Sequence, residues 1–413
     1  MEVSRVEWIC LIGNSRLGAR AIRRCGFEVG VLADRGSEIT KELLEMARAI
    51  VPVTLEWGEA EQGLKILTSI LGDPQAMVSF TELGLLLAAE LAETRGLAGC
   101  SVEAARRTRD KALMREALEH DPDLGLPYAA GTSAELSDYL ASQTGRGIAQ
   151  IIKPVDGYGS QTINVIKSRY EALQWRRRYQ DEPGRRWICE PLVEGPEFSV
   201  ETVTFGGVHH VLGVTQKETT EYPHFVELGH VFPADIDADT RSAIESATRR
   251  ALTLLGVENG ATHTEIRLSP RSGPVILETH TRPGGDCIPE LVEYSCGLDQ
   301  YTLAIESILS ENAAQQALQN IRYPKAAAIR FLRAEEGVLR GVVYKGVPES
   351  ERTIRCHLDI EVGQRVPRLE SSFSRIGYVM CGGENSGQAV RMAAEIAGSF
   401  EFFVDRDEVE WQY

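Results

Sequence analysis

Apolar positions in this chain come in short runs separated by amphipathic stretches, and their spacing predicts an α/β architecture. Trp8-Ile-Cys-Leu-Ile12 reads as a strand, followed by a glycine-containing turn and a helix beginning near Leu17. Residues 27–32 and 76–80 read as further strands. Strands that alternate with helices pair in parallel through crossover helices, so a first α/β domain is predicted to end near residue 95. A helix over 109–118 then leads to Pro127. From Gly147 to about Thr215 the pattern changes to strands and hairpins, with one helix over 170–179. An amphipathic helix over 239–255 precedes a strand–turn–strand unit over 259–278 that turns near 269–273. After a helix over 298–309, strand formers and turns dominate from about Tyr323, closed by a helix over 387–398; a separate small domain is expected there.

Length and composition narrow the class. The 413 residues exceed what one compact core holds, so several domains are expected. A 43% hydrophobic and 25% charged composition is that of an ordinary globular protein, and no apolar run reaches the ~18 residues that span a bilayer. Met1–Arg5 carries Glu2 and none of the basic, apolar, small-residue pattern of a signal sequence, which predicts the cytoplasm. A net charge of −16 argues against a nucleic-acid-binding face; Arg176-Arg177-Arg178 and Arg185-Arg186 read as solvated faces or phosphate contacts. The eight cysteines are scattered without a Cys-x-x-Cys pair and read as small core hydrophobes.

Gly13-Asn-Ser-Arg-Leu-Gly18 sits where a dinucleotide fingerprint would, with Asp34 at a plausible distance, but Ser15 occupies the middle glycine position. That glycine lets backbone approach a pyrophosphate, so the turn reads first as a tight strand-to-helix connection; a dehydrogenase rests on it alone. No G-x-x-x-x-G-K-[ST] loop occurs, which excludes a P-loop NTPase.

More chemistry lies further on. Lys153 ends an apolar strand just before Gly157-Tyr-Gly159-Ser160. Such a turn can aim backbone N–H groups at phosphate oxygens while the lysine supplies charge, although in isolation it is equally a hairpin with an exposed lysine. Glu265, in His263-Thr-Glu-Ile-Arg267, and Glu278, in Glu278-Thr-His280-Thr-Arg282-Pro-Gly284-Gly285-Asp286, lie on two adjacent antiparallel strands, so their carboxylates can face one point. Hard Mg²⁺ takes oxygen ligands and leaves positions for phosphate oxygens, whereas two buried like charges without a metal are costly. Arg282 is a planar donor suited to an acyl-phosphate or an oxyanion.

With Trp187-Ile-Cys-Glu190-Pro-Leu-Val193-Glu-Gly-Pro-Glu197, an apolar strand, hinge and second strand, the chain resembles the ATP-grasp superfamily. The resemblance implies an N-terminal Rossmann-like domain (1–95), an ATP-grasp domain (96–322) with a nucleotide-binding flap over about 120–190, and a small C-terminal α+β domain (323–413). It implies that Glu190 and the Val193 backbone serve adenine, Glu197 the ribose, and Lys111 and Lys153 the phosphates beneath the Gly157, Gly159 and Ser160 flap. Glu265 and Glu278 would hold magnesium, as one or two ions. His280 stands where most relatives have asparagine, a position from which it would bind the second metal or a phosphate.

Within the superfamily the sequence is most similar to the L-amino-acid ligases, which make dipeptides. Glu227-Leu-Gly-His230 matches a motif near their substrate site, Glu82 a glutamate near the bound amino acid, and residues 366–379 their terminal domain. The expected activity joins a carboxylate to an amine through an acyl-phosphate, releasing ADP and phosphate. Arg282, His230 and Glu227 would act at the reacting centre, with Glu82, Gly284, Gly285 and Asp286 around the substrate. Some dipeptide ligases place a tryptophan after the glycine pair; Asp286 there would favour a cationic or polar substrate, or pair with a nearby arginine. Two alternatives are a ligase for a non-amino-acid acid or amine and a non-catalytic nucleotide-binding homologue. A homodimer is expected from the family habit alone.

Overall fold

The computed structural model describes residues 7–405 apart from 158, 160–161, 183, 221, 223, 310–317, 320 and 346–352. The N-terminal run folds as a four-stranded parallel sheet in the order Ala47–Val53, Glu28–Asp34, Trp8–Ile12, Ala76–Ser79. Every residue of Trp8–Ile12 is buried, because helices cover both faces, and this is why the strand reads as a continuous apolar run rather than an alternating one. Asn14 closes the Gly13–Gly18 turn: its amide donates to the Asp34, Ser37 and Glu38 carbonyls while its Oδ1 accepts from the Asp34 N–H. A Cβ on Gly13 would meet the Thr81 hydroxyl at 2.3 Å, so its glycine serves close packing. The helix expected over 109–118 is two helices, Val102–Arg109 and Lys111–Leu118, broken at Asp110, whose extended backbone and carboxylate cap the second.

The flap is a four-stranded antiparallel sheet, ordered Ala129–Gly131, Trp187–Pro191, Gln150–Pro154, Asn164–Ile166. Helices Ser133–Gly145 and Arg169–Arg178 pack on it around Trp175 and Trp187. The central element is an antiparallel sheet of eight strands: Gly273–His280, Gly260–Ser269, Glu197–Phe205, Val208–Thr219, Glu227–Phe232, Ala326–Phe331, Gly377–Gly383 and Thr353–Leu358. The segment after residue 323 therefore hydrogen-bonds three strands into the central sheet. It adds a three-stranded sheet of its own and the helix Ser386–Gly398. Among the described residues no helix is long and apolar enough to cross a membrane.

Helix Ala238–Leu255 lies against the central sheet, its Ile244, Ala251 and Leu252 buried with Val200, Val214 and Ile266. His209 ties the two layers together, its ring bonding Thr204 on a strand (2.9 Å) and Thr253 on the helix (3.1 Å). Burial, helped by Arg249, pushes its pKa from 6.5 down to about 4. The fold thus holds the neutral ring, so its contribution is intact above pH 6.5 and is lost as pH falls toward 4. In urea titrations the stability of the wild type is expected to drop relative to His209→Gln across that window; a constant difference would contradict this.

Candidate active site

Two clefts meet at the carboxylates of Glu227, Glu265 and Glu278. The first, about 780 Å³, runs between flap and central sheet and is lined by Lys111, Lys153, Gly157, Val193, Glu197 and Leu277 among others. The second, about 770 Å³, opens toward the C-terminal segment and is lined by His230, His280, Arg282, Gly285, Asp286 and Arg375 among others.

The strands Gly260–Ser269 and Gly273–His280 set the junction. Glu265 and Glu278 are cross-strand register partners, and a bulge follows Glu265. Like charges placed directly opposite repel, and two lysines compensate. Lys111 Nζ lies 2.8 Å from Glu278 and Lys217 Nζ 2.6 Å from Glu265. Burial pushes the Glu278 carboxyl up, but Lys111, His280 and Lys153 outweigh it and hold it well below the usual carboxylate range. Glu265 follows the same balance, with burial opposed by Lys217 and His263. Among the described residues no three His, Cys, Asp or Glu side chains form a metal cage. The strands instead offer two carboxylates at directly opposed positions, Glu265 and Glu278. That donor set suits a hard cation whose other ligands are phosphate and water oxygens, so the residues fit magnesium.

Lys217 is the largest residue missing from the sequence reading. Its side chain is 3% exposed, and its ammonium also reaches Glu197 at 3.1 Å and Glu227 at 3.5 Å. Burial lowers its pKa and the three carboxylates more than reverse this, keeping it charged. Pairing brings it there from Val208–Thr219, beside the Glu197 strand and two strands from Glu265, and a lone lysine in a run of strand formers gave no signal. His263, buried beside Glu201 (3.0 Å) and Glu265 (3.5 Å), was also passed over. Burial lowers its pKa, and the two glutamates raise it to about 9.

In the first cleft Lys111 donates to the Gly157 carbonyl at 2.6 Å, joining the central domain to the flap turn. Lys153 lies 3.4 Å from Glu190 and 3.5 Å from the Leu277 carbonyl. Glu190 departs from expectation: it is 2% exposed, does not line the cleft, and its carboxylate is bound by Arg115 at 2.5 Å. A buried arginine fixes it as a support for Lys153, leaving no side-chain acceptor for adenine. Val193 does line the cleft, with its carbonyl taken by Arg267 at 2.9 Å, so its N–H is the group that can face a base. Glu197 lines it too, held by Arg267 at 3.0 Å. Gly159, expected over the phosphates, lines the second cleft instead of the first, with φ +67° in the left-handed region that glycine favours. Ser160 lies outside the described residues.

In the second cleft, Arg282 donates to Glu82 at 2.8 Å, and His280 Nδ1 lies 3.2 Å from the same oxygen at an angle short of a hydrogen bond. Burial raises the Glu82 carboxyl, and His280 and Arg282 outweigh it, leaving it far below the usual range. Expected against substrate, Glu82 lines neither cleft and instead orients Arg282 and His280. His280 Nε2 is 3.5 Å from Glu278, so the ring bridges two carboxylates. His230, 3% exposed, bonds Asp286 at 3.0 Å through Nε2. Asp286 takes the second of its two expected roles: Arg375 grips it bidentately at 2.7 and 2.5 Å. Asp286 and Cys287 both have positive φ, +57° and +59°, a strained pair directly before helix Ile288–Cys296. Glu227 accepts from the Ser372 hydroxyl at 2.5 Å. A Cβ on Gly284 would sit 2.7 Å from the His263 ring, whereas Gly285 lines the cleft with open space beside it.

This architecture, a flap sheet over a central antiparallel sheet with paired glutamates between them, has known counterparts. A family model for the ATP-grasp domain matches residues 147–290, and one for the L-amino acid ligase C-terminal domain 2 matches residues 330–405. Superposition on the crystal structure of L-amino acid ligase from Bacillus licheniformis gives a TM-score of 0.83 at 20% identity, covering 98% of this chain and 100% of that one. Protein y4rH of Sinorhizobium fredii (strain NBRC 101917 / NGR234) is 25% identical over 302 residues, 69% of this chain. Alanine–anticapsin ligase of Bacillus subtilis (strain 168) is 26% identical over 270 residues, 60% of this chain. The aligned parts span 59% and 56% of those two relatives. The chain thus has the ATP-grasp fold and carries an ATP-grasp domain. More narrowly, its residues 330–405 resemble the C-terminal domain 2 of the L-amino acid ligases.

Proposed function

We propose that the chain is an ATP-dependent carboxylate–amine ligase that forms an amide, a dipeptide when both substrates are amino acids, and releases ADP and phosphate. The observation that carries this reading is the junction of the two clefts at Glu265 and Glu278, where a nucleotide's terminal phosphate in the first would lie beside a substrate in the second. ATP lies in the first cleft, its base at the Val193 hinge, its ribose at Glu197 and its phosphates at Lys111 and Lys153. Magnesium held by Glu265 and Glu278 supplies charge neutralisation on the phosphates.

The chain's own groups then position two displacements. A substrate carboxylate oxygen attacks the γ-phosphorus, the bond to the bridging oxygen breaks, and ADP departs. The second substrate's amine attacks the acyl carbon, and phosphate leaves with the electron pair of the C–O bond. Arg282, oriented by Glu82, faces the oxyanion formed in that second step. The amine's proton goes to solvent or to a neighbouring carboxylate, of which Glu227 is the one at the junction outside the proposed metal pair. His230 acts at one remove, holding Asp286. Ser372 and Arg375 of the C-terminal segment close one side of the second cleft, and Glu82 of the N-terminal domain orients Arg282 from behind it.

The test is coupled ADP release with paired amino acids and with paired non-amino-acid acids and amines, and mass detection of the amide. ADP with a matching amide is expected; ATP binding without any amide would favour a non-catalytic homologue.

A further inference from the structure

We infer that the second cleft selects a neutral, apolar substrate side chain and that Phe373, from the C-terminal segment, is the wall that sets its size. The inference rests on the ligase reading and deepens it. The ring of Phe373 is 63% exposed yet lines this cleft, an unusual position for a large apolar side chain beside so many charges. It rides on the short 3-10 turn Ser372–Ser374, which is anchored at both ends. Ser372 donates to Glu227 at 2.5 Å, and Arg375 bonds the Ser372 carbonyl at 2.8 Å while gripping Asp286. The Arg375 guanidinium also lies 3.7 Å over the Phe331 ring. The turn is therefore held by groups that belong to the cleft, and the ring is presented at a fixed place.

Across from it the flap arrives as Gly159, where a Cβ would sit 2.6 Å from the Phe373 ring. Flap and C-terminal segment thus approach each other through a glycine and an aromatic face. Gly285 and Ile288 line the same cleft and, with Phe373, supply its apolar corner for a substrate side chain in this reading. The two carboxylates beside that corner are already engaged, Asp286 by Arg375 and His230 and Glu227 by Ser372 and Lys217, so they offer little to a cationic side chain. The remaining charges of the lining are Lys217, Glu265, Glu278 and Arg282, at the junction where the reacting groups would lie. A side chain reaching the corner meets hydrocarbon and no unpaired charge, and burying a charge there would be costly.

The experiment is a competition assay: ATP, magnesium and an equimolar pool of the amino acids, with dipeptide ratios read by mass spectrometry for the full-length wild type, Phe373→Ala, Phe373→Trp and Arg375→Ala. Ratios within one pool do not depend on how much active enzyme survives the substitution. Wild type is expected to favour neutral apolar residues over Lys, Arg, Asp and Glu by at least ~10-fold at one of the two positions of the product. Phe373→Ala should shift that position toward larger side chains by ~10-fold and Phe373→Trp toward smaller ones. Arg375→Ala, which bares Asp286, should raise Lys and Arg. A wild type that prefers charged residues at both positions, or a side-chain order unchanged in both Phe373 variants, overturns the inference. No amide from any pair in the wild type overturns the ligase reading itself.

Discussion

Glu278→Gln is expected to lower the rate of ADP release in the full reaction by ~10³-fold or more, because the substituted amide removes one of the two carboxylates that would hold magnesium under the proposed mechanism. The nucleotide cleft is lined chiefly by other groups, so ATP affinity should change by only a few-fold. Stability should fall far less than activity. In the metal-free protein Glu278 faces Glu265 across the strand pair and opposes the lowering that Lys217 and His263 impose on the Glu265 carboxyl. Relieving that repulsion offsets part of the loss of the Lys111 contact, so unfolding in EDTA should show a loss of at most about 1–3 kcal/mol. Loss of activity far beyond the loss of stability marks a group kept for chemistry. A variant that loses stability as steeply as activity would make Glu278 structural.

Lys217→Met is the opposite case and the largest effect expected on the fold. The substitution keeps the volume of the aliphatic stem but leaves Glu197, Glu227 and Glu265 around a site with no ammonium. Breaking a buried ion pair by removing one partner typically costs about 3–5 kcal/mol, and here three carboxylates lose a shared cation, although Arg267 still holds Glu197. Urea unfolding in EDTA is expected to show a loss of that order, and ligation should fall with it. Added Mg²⁺ and ADP should recover part of the stability, since a cation at Glu265 replaces some of the missing charge. A loss under about 1 kcal/mol would mean that the three carboxylates are already compensated by solvent.

Much of this site was legible because its chemistry sits at strand ends in consecutive segments. Glu265 and Glu278 flank one tight turn, so the hairpin could be read and their mutual approach followed from its register. Lys153 and the Gly157 turn were legible in the same way. What escaped was whatever depends on pairing between distant segments. Lys217 meets Glu265 from 48 positions away, Arg375 meets Asp286 from 89, and Arg282 meets Glu82 from 200. No local pattern announces those encounters. They also explain the departures: Glu190 and Glu82 are acidic residues next to the right motifs, but buried cations claim them first. The joining of the C-terminal strands to the central sheet escaped for a related reason, since strand formers do not say which edge they will extend.

The central claim, transfer of the γ-phosphoryl group to a carboxylate before amide formation, is tested most directly by isotope. A substrate acid labelled with ¹⁸O in both carboxylate oxygens, turned over with ATP, magnesium and an amine, should give ADP and inorganic phosphate carrying one ¹⁸O per amide formed. Unlabelled phosphate alongside amide, or AMP and pyrophosphate as the nucleotide products, would contradict the account.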